Sequence, residues 1–552
     1  MNTFDQLSRR VASDFLNTVV VVDDQALLTA SARSEAPHVL ETPGRQGGTS
    51  NEATESPRPG TDSAHRLDAK KLIDSFARMG VLCAVLRPSD QEMGTLESVL
   101  PPITESSDVV VIDWVLHEFK QGEKTIEIIR QLLKSSGPER GRARLIIVYT
   151  GENDLGQIAS AIRETLKLPE HDGPGDSFTI KRGAARICIY AKEESRLPRD
   201  EQSRKVEISR LPDIVVAEFA NMTRGLVSNV ALCSLARLRL NTHQLLRRFH
   251  SEIDPPYVTH STLLAHEEAC DHLVPLIVSE IQAVLEDERV SDLANHRWVV
   301  QWLKYQLGRG LTFTLPQHTT EKQYRRGLAF LLENGTSEEA LEQLFKDHAK
   351  FANGVLKSKK KAADEIRDHM TGWMTLERDR HNVRDHELAV LMSVRSRYTS
   401  PSPLLALGSI VLETSGNQSQ YLLCVQPRCD SVRLKSERAF PFLPMKQVAD
   451  DQKCDFIIEE KGKTIRLRLI DDPFETRMIR FAPRPSEKRI MARRGKNGRF
   501  FKASGTRARY RWVADLKAEH AQRVANDFAY QLSRVGLTES EWLRRLMPQK
   551  GE

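Results

Sequence analysis

Along the first two hundred positions, short runs of β-branched apolar residues alternate with stretches whose apolar residues recur every three or four places. Val109-Val110-Val111-Ile112 is the most uniform run, and it ends on Asp113. Such a run reads as a strand buried on both faces, as in a parallel sheet. Thr18 to Val22 runs in the same way into Asp23-Asp24, Arg144 to Tyr149 into Thr150-Gly151, and Arg186 to Ala191 into Lys192. Val81 to Leu86 makes a further strand, and Ser177 to Lys181 an extended piece before a turn at Gly183. Phe4, Leu7, Val11 and Phe15 form a helix-spaced stripe over Thr3 to Leu16. Helices are also predicted over Ala64 to Met79, stopped by Gly80, over Lys124 to Lys134 and over Asp154 to Leu166. Strands alternating with helices predict an α/β fold, whose ligand sites lie at the carboxyl ends of the strands. An acidic pair, a lone Asp, a hydroxyl and a Lys therefore fall at one sheet edge. Three clustered carboxylates would repel, so a cation or Lys192 is expected among them. The alternative is an α/β domain whose polar strand ends only cap helices.

From Pro212 to about Ser400 the period is helical. Ile214, Val215, Phe219, Leu226, Val230, Leu235, Leu238 and Leu245 mark one long helix or two. Val274 to Leu285, with Pro275 suited to a first turn, reads as a helix, as do Trp298 to Leu307 and Ala340 to Phe351. After Pro401-Ser402-Pro403 the period falls to two. Strands are predicted at Ser409–Glu413, Gln420–Gln426, Phe456–Glu459 and Thr464–Leu469, the last pair joined by a hairpin at Lys461-Gly462-Lys463. A closing helix runs from Val513 to Val535, stopped by Gly536, and Thr538-Glu539-Ser540-Glu541 suits the cap of a last one. The expected division is residues 1–197, α/β; 198–400, helical; and 401–552, α+β.

Composition changes this picture in three places. From about Ser31 to Ser63 the chain is rich in Ser, Pro, Gly, Thr and Glu and has no aromatic residue, so it is not expected to order itself. Seven cysteines form no paired framework, which points to a reducing compartment. No apolar run approaches the roughly 18 residues of a membrane span, and MNTFDQLSRR has no signal-peptide character, so a cytoplasmic protein is expected. Arg484 to Arg511 holds eleven Lys or Arg against Glu487 alone, a local excess larger than the net +6 of the chain. Phe500, Phe501, Tyr510 and Trp512 lie among or just beyond these charges, as base stacking beside phosphate contacts would require. Arg493, Arg494, Lys496, Arg499 and Phe500 are the candidate nucleic-acid or partner residues. A basic surface meeting an acidic partner is the alternative.

His260, His266, Cys270 and His272 lie close in sequence but lack the paired spacing of a zinc site. Cys424, Cys429 and Cys454 could hold a metal through thiolates, although Cys424 sits inside an apolar run and reads as a buried thiol. No nucleophile elbow, P-loop or helical His-Glu-x-x-His occurs.

The order of polar strand ends resembles the receiver domain of two-component signalling, a flavodoxin-like α/β fold, over about the first 195 residues. The resemblance implies that Asp113 is the phospho-acceptor and that Asp23, Asp24 and Asp113 hold Mg2+, with the backbone carbonyl of Val115 as a further ligand. Thr150 and Lys192 would bind the phosphoryl oxygens, with the Lys192 charge at a solvent-facing strand end. Magnesium suits this role because it prefers hard oxygen ligands and neutralises a transferring phosphoryl group. The chain departs from the family pattern near Lys192. Where receivers carry a switch aromatic a few positions before the Lys, it has Ile189, and Tyr190 lies on the opposite strand face.

The implied function is a receiver that takes phosphate from a histidine kinase. The size, the insert and the lack of a recognised DNA-binding output look more like the large receiver proteins of two-component-like bacterial defence against phage. Two outputs compete: an acceptor without its own output enzyme that tunes the signal reaching another receiver-effector protein, or a phosphorylation-controlled effector acting on nucleic acid through residues 484–511.

Overall fold

The computed structural model describes residues 3–27, 66–89, 96–116, 122–134, 144–168, 176–264, 269–308, 319–374, 381–415, 418–450, 452–470, 472–484, 487–506 and 508–533. The segment Ser31–Ser63, His266, and the segment from Gly536 onward lie outside them. The chain divides into two compact units, Met1–Ala362 and Ala363–Glu552.

In the first unit, β1 (Thr18–Val22), β2 (Leu82–Leu86), β3 (Val109–Ile112), β4 (Arg144–Thr150), β5 (Thr179–Arg182) and β6 (Ala185–Lys192) form one sheet. The order is β2-β1-β3-β4-β6-β5, parallel except for β5, which runs against β6 as a hairpin. Every residue of β3 and β4 is buried, as unbroken apolar runs require of strands covered on both faces. On one face Val110, Ile112, Ile146 and Val148 pack against α3 (Leu96–Glu105), α4 (Glu123–Lys134) and α5 (Leu155–Leu166) through Leu100, Ile128, Ile129, Ile158 and Ile162. Each such side chain contributes about 1.5–3 kcal/mol by full burial. Asp154 caps α5 by accepting the Gln157 N–H at 2.9 Å.

The other face is covered by α1 (Phe4–Phe15), α2 (Ala69–Ala77) and α6 (Leu211–Thr223). Val109, Val111 and Ile147 meet Ala12, Leu72, Val215 and Phe219 there. The sheet core thus reaches as far along the chain as α6. Beneath β6 lies a polar cluster. Glu218 of α6 accepts hydrogen bonds from Tyr190 Oη at 2.8 Å and from the Cys188 thiol at 3.4 Å, and pairs with Arg186 at 2.8 Å. Burial alone would raise the Glu218 carboxyl. The Arg186 charge and the Tyr190 and Cys188 hydrogen bonds outweigh it and hold the group below the usual carboxylate range.

After Pro212 the helical period belongs to two helices rather than one, because Arg224 and Gly225 separate α6 from α7 (Leu226–Arg248). The other side of α1 packs Phe4, Leu7 and Val11 against Cys233 of α7 and Val290. Further helices span Leu273–Asp287 and His296–Gly308. The stretch expected as one helix over Ala340–Phe351 is two, Glu338–Asp347 and Ala349–Val355, broken at His348, whose backbone leaves the helical region.

The second unit holds an antiparallel half-barrel of nine strands closed by the helix Ala518–Ser533. Its strands are β7 (Ser409–Ser415), β8 (Gln418–Cys424), β9 (Arg438–Gln447), β10 (Phe456–Glu460), β11 (Lys463–Leu469), β12 (Arg477–Phe481), β13 (Arg493–Gly495), β14 (Gly498–Lys502) and β15 (Arg509–Asp515). The β10–β11 hairpin turns at Lys461 and Gly462, both at positive φ (52° and 74°), the backbone of a tight two-residue turn. One face buries Val411, Phe440, Phe442, Phe481 and Phe501; the other packs Ile410, Leu423 and Ile458 against Ala521 and Val524 of the closing helix. Cys424 lies in the first of these cores, where burial pushes its thiol up to about 12. The closing helix begins later than Val513, because Arg509–Asp515 pairs with β7 as a strand. The basic segment contains all of β13 and β14 and the start of β15.

Candidate functional site

Strand register sets the site. Val22 lies opposite Ile112, and Ile112 opposite Val148, so β1, β3 and β4 reach the sheet edge at one level. Asp23 and Asp113 come directly after. The Asp113 N–H donates to Val22 O at 3.0 Å and the Asp23 N–H to Leu86 O at 3.1 Å, which extends the ladder by one residue at each acid. Thr150 lies opposite Ala191, one residue before Lys192. Asp23, Asp24, Asp113, Thr150 and Lys192 are all buried.

Lys192 departs from expectation. Instead of facing solvent it is 2% exposed and among the largest fully buried side chains. Its Nζ donates to Asp23 Oδ2 at 2.8 Å and to Asp113 Oδ2 at 2.7 Å. A lysine is buried in this way only when its charge is paired, and two carboxylates supply the pairing. Burial alone would lower the Lys192 ammonium, but the charges and hydrogen bonds of Asp113 and Asp23 together raise it. For Asp113 desolvation prevails over the Lys192 charge, the Asp23 charge adds to it, and the carboxyl is pushed up to about 7.

Several residues that carried no sequence signal hold the acids in place. Thr125 Oγ1, in the first turn of α4, donates to the carbonyls of Asp113 at 2.7 Å and Trp114 at 3.1 Å. Gly122 has φ +72°, and a Cβ there would stand 2.3 Å from the Trp114 indole, so any side chain would displace the loop after Asp113. Arg87 Nε donates to Asp24 O at 3.0 Å, and the Gln25 N–H donates to Asp23 Oδ1 at 2.8 Å. The Thr150 hydroxyl accepts the Glu152 N–H at 3.1 Å. Val115 is half-buried between Trp114 and Leu116. A cleft of about 450 Å³ opens beside Lys192, lined by Tyr149, Glu193 and Glu194 together with Arg66, Asp68 and Lys71. Ile189 and Tyr190 face opposite layers: Ile189 joins the α4–α5 core, and Tyr190 reaches Glu218.

The other candidates lie elsewhere. Arg493, Arg494 and Lys496 are exposed on β13 and its turn, and Phe500 is half-buried on β14. The Arg499 guanidinium donates to the carbonyls of Ser400 and Pro401. Phe501 and Tyr510 are core residues, and Trp512 lies 4.4 Å beneath the Arg397 guanidinium. The His260 and His272 rings are 6.1 Å apart, and Cys270 is exposed.

Residues 15–197 match the family model of the response receiver domain. The N-terminal third of the chain is therefore a receiver domain, the phosphoryl-accepting module of response regulators. No curated protein and no solved structure matches the chain.

Receiver domains in general use Mg2+ for phosphorylation. The donor set here suits it: three carboxylates and nearby backbone carbonyls are hard oxygen ligands. Asp113 Oδ1 is buried and has no hydrogen-bond partner among the described residues, which leaves a lone-pair site for a ligand. Among the described residues no helix is long and apolar enough to cross a membrane.

Proposed function

We propose that Asp113 accepts a phosphoryl group from a histidine kinase, and that Asp23, Asp24, Asp113 and the Val115 carbonyl hold the Mg2+ that the reaction uses. The observation that carries this reading is the state of Asp113: one oxygen is bound by Lys192 at 2.7 Å and the other has no hydrogen-bond partner among the described residues. An Asp113 oxygen attacks the phosphorus of phosphohistidine. A P–O bond forms and the P–N bond breaks, its electron pair passing to the imidazole nitrogen, which takes a proton from water. Mg2+, when bound, neutralises charge on the transferring group. Lys192 loses a carboxylate partner as the acyl phosphate forms and is placed to track the new negative charge; Thr150 donates its hydroxyl to a phosphoryl oxygen.

We further propose that this acceptance is itself the chain's task. The protein would act in the cytoplasm as a phosphate acceptor that tunes the signal reaching a second receiver-effector protein, without an output enzyme of its own. The absence of a recognised catalytic motif in the sequence supports this reading. A two-component-like defence against phage is the setting we propose, supported by the length of the chain and the insert after Asp24.

Labelling with a small phosphodonor tests the assignment. Asp113→Asn and removal of Mg2+ are each expected to abolish incorporation, and Asp24→Ala to raise the Mg2+ concentration needed. Undiminished labelling of Asp113→Asn would overturn the reading.

A further inference from the structure

We propose that the outer face of the β13–β15 meander binds single-stranded nucleic acid. The register places the charges. Arg493 lies opposite Phe500, Phe500 opposite Arg511, and Lys502 opposite Arg509. Side chains alternate across a strand, so the face opposite the buried Phe501–Tyr510 pair carries Arg493, Phe500, Lys502 and Arg509. Lys496 stands in the turn between β13 and β14, and Arg494 on the outermost strand of the sheet. Arg493, Arg494, Lys496, Lys502 and Arg509 are exposed, and among the described residues none has an acidic group within salt-bridge distance. The nearby acids are already engaged: Glu460 pairs with Arg511, and Glu487 with Arg484 at 3.4 Å.

Lys502 and Arg509 meet directly across two strands. Like charges in that position destabilise a sheet, and an anion between them would relieve the repulsion. Edge-strand cations alone would serve to prevent edge-to-edge pairing, but Arg509 is paired on both sides, with Thr414 and with Lys502, and does not guard the edge. Phe500 supplies the second element. It is half-buried, its ring resting on Gly495, where a Cβ would come within 2.9 Å of it. The glycine leaves room for the ring beside the strand, and the ring, being half-buried, keeps part of its surface toward solvent for a base. Cations for backbone phosphates flanking one aromatic platform on an open sheet is the arrangement by which single strands are held without sequence readout. An acidic protein surface would use the cations but not the ring.

The test uses the full chain and the anisotropy of a labelled single-stranded oligonucleotide, titrated at low and moderate salt. Binding is expected to weaken steeply with salt. The exposed triple substitution Arg493→Ala, Lys502→Ala and Arg509→Ala is expected to reduce the log–log slope by about 2, given roughly 0.7 per phosphate on a single strand. Phe500→Leu keeps an apolar cover over Gly495 and is expected to lower single-strand affinity by about five- to 100-fold, with little change for duplex. Unchanged circular dichroism and melting midpoints establish that the variants fold. Absence of binding at low salt, or binding that survives the triple substitution, would overturn the proposal. So would displacement by polyglutamate as effective as by unlabelled oligonucleotide, combined with a neutral Phe500→Leu; the partner would then be an acidic protein. The assay needs no phosphorylation, so its result is independent of Asp113 chemistry.

Discussion

Lys192 balances two carboxylates that are, like it, 2% exposed. Its replacement by alanine leaves Asp23 and Asp113 buried without their shared cation. Removing one partner of a buried pair costs about 3–5 kcal/mol, and the lower end applies here because Asp113 can take up a proton. In Mg2+-free buffer Lys192→Ala is expected to lower unfolding stability by about 3 kcal/mol, measured by urea titration, and added Mg2+ should restore more stability to the variant than to wild type. A loss below about 0.5 kcal/mol, the value of an ordinary surface substitution, would mean that the ammonium is solvated in solution. The site was legible in the sequence as an order of polar residues after apolar runs, because parallel-strand burial writes itself into composition. The burial of Lys192 was not. Residue type argues for the surface, and only the register that brings Asp23 and Asp113 level reverses that preference. Gly122 and Thr125 were equally silent: their roles depend on contacts with Trp114 and the Asp113 carbonyl, which no spacing rule encodes.

Among the elements, α6 lies against the strand that carries the lysine. Its Glu218 holds Tyr190, two residues before Lys192 on β6, so the strand that carries the lysine is pinned from the layer opposite α4 and α5. Glu218→Gln would leave the half-buried Arg186 beside a neutral amide, at a cost of about 1–3 kcal/mol near neutral pH. Because the folded Glu218 carboxyl lies below its unfolded value, the stability it contributes is present above the ordinary carboxylate range and is lost as pH falls through the folded value. The difference in urea midpoint between wild type and Glu218→Gln should accordingly shrink below about pH 4; a gap that stays constant would refute the ion-pair account. The strands that escaped the sequence did so for identifiable reasons. β9 contains Pro441 and Pro444, which argue against a strand, yet the carbonyls of both accept N–H groups from the neighbouring segments, Val425 and Ile470, at 3.0 Å. β13 is exposed at every residue, so it has no apolar alternation to read.

For the whole molecule, the two units carry separate cores. The receiver sheet and α1–α7 close around one set of apolar clusters, and the half-barrel with its closing helix around another. Cooperativity depends on shared cores, and chains with more than one core depart from a single two-state transition. Calorimetry of the full chain is therefore expected to resolve two transitions that respond to different substitutions. Lys192→Ala should move the transition of the first unit alone. Glu413→Gln supplies the counterpart: its carboxylate accepts from Arg477 at 3.0 Å and from Tyr510 Oη at 2.9 Å inside the half-barrel. Arg477 is 38% exposed and can turn back to water, so that loss is set by the hydrogen bonds, at about 1–3 kcal/mol. It should shift the second transition by a few degrees and leave the first in place. One transition that moves with either substitution would mean that the units unfold as one body, and the chemistry at Asp113 would then have a direct thermodynamic route to the half-barrel.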